Sequence, residues 1–102
     1  MTFEDKVRLI TTQFRQIVEK KYNILEMKLF GSSARGDFSK SSDIDIMVRL
    51  PNVNRNIEEE LFDIAYELEL EHECLIDVIV LPEKLDMTIP LYQNIEKEGV
   101  AV

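Results

Sequence analysis

Phe30-Gly31-Ser32-Ser33-Ala34-Arg35-Gly36-Asp37, followed shortly by Ser42-Asp43-Ile44-Asp45-Ile46, is the stretch that the remaining residues serve to position. A hydrophobic run ends at Phe30 and a small-residue turn begins at Gly31. The first backbone N–H groups after such a turn are left free to face an anion, which is the chemistry of phosphate binding. Eight residues after Arg35 come two carboxylates separated by one apolar residue. Ile44, Ile46, Val48 and Leu50 alternate there with Asp43, Asp45, Met47 and Arg49, the period of a strand, so both acids share one face.

Alternate residues on a strand lie about 6.5–7 Å apart at Cα with their side chains pointing the same way, so two carboxylates can converge on hard cations. Paired magnesium ions in phosphoryl-transfer sites stand about 3.5–4 Å apart, within reach of Asp43 and Asp45. Taken singly, Gly31-Ser32-Ser33 is an ordinary turn and Asp-x-Asp an ordinary solvated strand face. In this order and at this spacing they describe a place where metal-bound triphosphate is held.

With these residues, GSSARG followed by SDIDIMV, the chain resembles the DNA polymerase β-type nucleotidyltransferase superfamily. It is similar in particular to the minimal nucleotidyltransferase (MNT) antitoxins that act on HEPN-domain ribonuclease toxins, and the likeness covers nearly the whole chain. The resemblance implies a polymerase β-like nucleotidyltransferase fold and its strand order, with a third catalytic carboxylate on the strand beside Asp43 and Asp45. It also implies that AMP passes from ATP to a tyrosine hydroxyl of the HEPN partner and silences the ribonuclease.

Leu75-Ile76-Asp77-Val78-Ile79-Val80-Leu81 is apolar on both faces except for one acid, and is expected to be a central strand. A buried lone carboxylate is costly, so Asp77 should lie at a strand end, in an ion pair or on a metal. Beside Asp43 and Asp45 the metal is the better choice, and Asp77 occupies the place of the family's third carboxylate. Asp43 and Asp45 would then ligate both of two Mg2+ ions, while Asp77 would ligate the catalytic one and help deprotonate the attacking hydroxyl. The N–H groups of Gly31 to Ser33 and the Ser32 hydroxyl would hold the β- and γ-phosphates of ATP, with Arg35 pairing with the triphosphate or fixing the turn.

The other elements follow from periodicity. Thr2 and Asp5 form a capping pattern ahead of Phe3, Val7, Ile10, Phe14, Ile17 and Val18, a core-facing helix to about Lys20. Leu25, Met27 and Leu29 alternate with Glu26 and Lys28 as a half-buried strand leading to Gly31. Residues 32–37 start a short helix, and 40–42 turn into the strand Asp43–Leu50. After Pro51, the residues Ile57, Leu61, Ile64, Ala65 and Leu68 mark a second helix to about His72, its other faces rich in Glu and Asp. Pro82 closes the Asp77 strand, and a last helix from about Thr88 to Glu98 turns Leu91, Tyr92 and Ile95 inward and stops at Gly99. The fold class is therefore α/β: one small domain over 1–102, with a mixed sheet of at least three strands and helices packed against it.

Composition limits the partners. Twenty acidic against twelve basic residues leave a net charge of −8, which opposes broad contact with nucleic acid and suits a basic protein partner. The single Cys74 cannot make an internal disulfide, no apolar run is long enough to span a membrane, and a cytoplasmic location is expected. His72 without a second His or Cys nearby is a poor zinc ligand, and Tyr22 and Tyr92 are packing residues before they are nucleotidyl acceptors. Two rivals to protein nucleotidylation stay open. One is an antitoxin that masks its toxin by contact alone, and the other is transfer to a small-molecule hydroxyl, which the absence of a second domain disfavours.

Overall fold

The computed structural model describes residues 2–31 and 43–102; the expected helix at 32–37 and the turn at 40–42 lie outside the described residues. Thr2 accepts a hydrogen bond from the Asp5 N–H while the Asp5 carboxylate takes that of Thr2, a reciprocal cap that starts α1, Phe3–Glu19. Val7, Ile10, Phe14 and Val18 recur at helical spacing and are buried, each removal from water stabilising by about 1.5–3 kcal/mol. Ile17 belonged to the same expected set, yet it is 37% exposed because it falls at the rim of that stripe.

The strand β1, Glu26–Phe30, pairs antiparallel with β2, Ile44–Arg49. Asn54 caps α2, Arg55–His72, with its side chain accepting from the Ile57 N–H, and α2 crosses back to β3, Ile76–Leu81, which runs parallel to β2. Pro90 opens α3, Pro90–Glu98, where its missing N–H costs nothing, and Gly99 leads into β4, Val100–Ala101, antiparallel to β1. Among the described residues the sheet is mixed and four-stranded, ordered β3-β2-β1-β4.

Two apolar layers sandwich this sheet. On one face Ile44, Ile46, Val48 and Leu50 meet α1 and α2; on the other Met47 and Leu81 meet Ile95 of α3, with Phe30, Ile79 and Tyr92 packed around them. The sheet corrects one expectation: among the described residues β3 is an edge strand and not a central one. An apolar pattern on both sides reports that both faces are covered, and it says nothing of whether both edges are paired. Leu91, expected inward, is 43% exposed, since Ile95 alone of the α3 residues is fully covered.

Candidate active site

The antiparallel register sets Phe30, the last residue of β1, directly opposite Asp45 of β2. The next residue, Gly31, has φ +64°, a left-handed conformation that glycine adopts without strain. It passes so close to Asp45 that an added β-carbon would stand 2.5 Å from Oδ2. A glycine lets the chain leave β1 over that carboxylate without strain and without displacing it.

The parallel register of β2 and β3 places Asp45 opposite Asp77. Neighbouring strands run about 4.8 Å apart and paired residues share a face, so these two acids stand side by side on the α3 side of the sheet. Asp43 precedes β2 by one residue and has the same parity. Because β1 runs antiparallel to β2 and β3, Gly31 at the end of β1 and the three aspartates at the starts of the other strands gather at one end of the sheet. Asp43 and Asp45 are partly covered and Asp77 is exposed. Ser32, Ser33 and Arg35, expected to complete the phosphate cradle, lie outside the described residues.

A turn fixes Asp77 in place. Glu73 takes a left-handed conformation (φ 53°) and ends α2, and the N–H groups of Glu73 and Cys74 both reach the Glu69 carbonyl. The Glu69 carboxylate then accepts the Ile76 N–H at 2.8 Å, one residue before Asp77.

Among the described residues no three Asp, Glu, His or Cys side chains are gathered into a ready-made metal cage. Carboxylate oxygens are nonetheless the donor type a hard cation takes. Mg2+ ordinarily binds through one or two carboxylates and fills its remaining positions with water and substrate phosphates, so an open set on one sheet face fits that ion.

Other candidates resolve into structure. His72 Nε2 lies 2.7 Å from Gln13 Oε1, joining α2 to α1. The Tyr22 hydroxyl donates to Glu60, which raises the phenol above its ordinary range. Burial pushes the Cys74 thiol up, away from thiolate chemistry. A hollow of about 530 Å³ beside Arg15, Lys20 and Lys21 opens ahead of β1, at the opposite end of the sheet from Asp45. A smaller hollow of about 180 Å³ touches Gly31 and is lined by Leu91, Asn94 and Glu98. Sequence reasoning did not connect those α3 residues to the site, although their spacing of three and four marks one helix face.

Comparisons with known proteins bear on the fold and the family. Two curated proteins of Methanocaldococcus jannaschii, each described as a "Putative protein adenylyltransferase", are 32% identical to the chain, one over 72% of it and 74% of the relative, the other over 85% and 88%. Among solved structures, a chain of a toxin–antitoxin complex with AMP-PNP superposes with a TM-score of 0.67 at 22% identity, covering 90% of this chain and 70% of that one. A chain of the tri-AMPylated Shewanella oneidensis HEPN toxin in complex with its MNT antitoxin gives a TM-score of 0.63 at 20% identity, covering 93% and 70%. Residues 11–102 match the nucleotidyltransferase domain, and the chain is a member of that enzyme family.

Proposed function

We propose that this chain is an antitoxin that transfers AMP from Mg-ATP to a tyrosine hydroxyl of a HEPN-type ribonuclease toxin and thereby silences it. The observation that carries this is the pairing of Asp45 with Asp77, with Gly31 packed close against Asp45: a two-carboxylate face beside the end of β1. Support for the acceptor class comes from the relatives described as protein adenylyltransferases and from the HEPN toxin complexes that share the fold.

Asp43, Asp45 and Asp77 would hold Mg2+, which supplies charge neutralisation of the triphosphate and polarisation of the α-phosphoryl group. Gly31 brings its backbone close to Asp45, so the phosphates of ATP lie against the turn and the carboxylate face together. The acceptor oxygen forms a bond to the α-phosphorus as the bond to the bridging oxygen breaks. Pyrophosphate leaves with the electron pair, and Asp77, exposed at the mouth of the site, takes the hydroxyl proton.

The test mixes the purified chain with a candidate HEPN-type protein, ATP and Mg2+, and weighs the intact partner. An added mass of one or more AMP groups is expected. An unmodified partner whose ribonuclease activity is still blocked would leave only masking by contact.

A further inference from the structure

Among the described residues the outer edge of β3 carries no partner strand. Leu75 and Leu81 turn their carbonyls toward β2, accepting from Ile44 and Leu50, so the residues of odd number face β2 and Ile76, Val78 and Val80 turn their backbone groups outward. Glu69 takes the Ile76 N–H. Val78 and Val80 have no strand partner among the described residues.

Next to this edge α2 exposes Phe62 (44%), Tyr66 (58%) and Leu70 (64%), four residues apart along one stripe, with Leu75 (61%) at the turn below. A groove of about 410 Å³ joins stripe and edge, and its lining runs from Phe62, Asp63 and Tyr66 through Glu69 to Asp77 and Val78. The docking groove thus ends at one of the site carboxylates. Its charged lining, Asp63, Glu69 and Asp77, is acidic, in keeping with a net charge of −8, so a second copy of this chain is repelled and a basic occupant is drawn in.

Resting on the protein-nucleotidylation function above, we propose that the acceptor protein presents its hydroxyl on an extended basic segment that adds as a strand to the outer edge of β3. Backbone hydrogen bonds to Val78 and Val80 supply affinity, and alternate side chains supply specificity. One side chain of the added strand lies on the Asp77 face, about 4.8 Å away at Cα, and carries the hydroxyl. Its neighbours on either side turn to the opposite face and seat apolar groups on Phe62 and Tyr66. The segment therefore has an apolar–Tyr–apolar pattern flanked by Lys or Arg.

Two variants separate docking from chemistry. Val78→Pro removes an outward N–H that the β2 ladder does not use, a place where an edge strand tolerates proline. Phe62→Lys puts a cation on the stripe. With far-UV circular dichroism and affinity for AMP-PNP as controls, transfer to the HEPN-type protein is measured against acceptor concentration. Each variant is expected to raise the acceptor KM by about tenfold or more, equivalent to about 1.4 kcal/mol of docking, with KM for ATP and kcat within about twofold. Transfer with an unchanged acceptor KM in both variants overturns the docking edge and leaves the proposed reaction standing. A wild-type chain that binds the partner without modifying it overturns the reaction, and docking is then read from the calorimetric Kd of the same variants, an unchanged Kd overturning it. A wild-type chain that neither binds nor modifies the partner overturns both. A wild-type dimer in sedimentation that Phe62→Lys dissolves overturns the proposed occupant in favour of a second copy.

Discussion

Gly31 and Asp45 are in such close apposition that a β-carbon on the first would press to 2.5 Å from Oδ2 of the second. Gly31→Ala therefore meets two penalties at once: a left-handed φ of +64°, which costs about 1–2 kcal/mol for a residue with a side chain, and a displaced carboxylate. The expected result is a modest drop in thermal midpoint together with a much larger loss of nucleotidyl transfer. A variant that loses stability but keeps its transfer rate per folded molecule would separate Gly31 from the site.

Asp45→Asn and Asp77→Asn change charge with little change in shape. If the two hold Mg2+ against ATP, each should lower kcat on the order of 10²–10³-fold, the scale of losing one preorganised electrostatic contact with a transferring group. Binding to the native state alone raises the unfolding midpoint. Mg2+ with AMP-PNP should thus raise the thermal midpoint of the wild type and raise that of either variant less. Equal shifts in all three proteins would place the nucleotide elsewhere.

Much of this site was legible in the chain because its signals are local. The period of two in Asp43–Arg49 assigned faces without any tertiary knowledge, and Gly31 marked the place where the first strand ends in a turn, although its left-handed φ and its approach to Asp45 show only in the fold. The edge position of β3 was not legible, since Ile76, Val78, Ile79 and Leu81 record two covered faces whichever edges are paired. Nor was β4: Val100 and Ala101 are too short a run for any pattern, and their pairing with Leu29 and Lys28 is decided by where α3 delivers the chain. The three-residue spacing of Leu91 and Asn94 was present in the sequence, but only the fold brings it beside Gly31.

Lys21, Tyr22 and Glu60 form a tie between the segment after α1 and the first turns of α2. The hydrogen bond from Lys21, and after it that from Tyr22, holds the Glu60 carboxyl below its ordinary 4.5, so this stabilisation is present above that value and lost as pH falls through the lowered one. Glu60 in turn raises Lys21 above 10.5 and Tyr22 above 10.0, contributions fully present below those values and lost as pH rises through the raised ones. Urea midpoints of the wild type and Glu60→Gln should differ most at neutral pH and converge in strong acid and strong alkali. All three side chains are solvent-accessible, so the difference is small and shrinks with added salt. A gap that widens in acid would contradict the tie.

Glu69 is the residue through which α2 sets the position of Asp77. Its carboxylate accepts the Ile76 N–H at 2.8 Å in a partly buried place, and Ile76 itself is 5% exposed. Glu69→Ala leaves that N–H without its acceptor and should cost about 1.5–3 kcal/mol, the range for a hydrogen bond to a charged group. Asp77 is the next residue, so the same change lets the start of β3 shift and lowers kcat while KM for ATP stays near its wild-type value. Glu69→Gln keeps an acceptor oxygen of the same reach, and should recover most of the stability and most of kcat. If Gln fails to restore kcat while restoring the thermal midpoint, the Glu69 charge acts on the reaction directly, and its part is more than holding a strand in place.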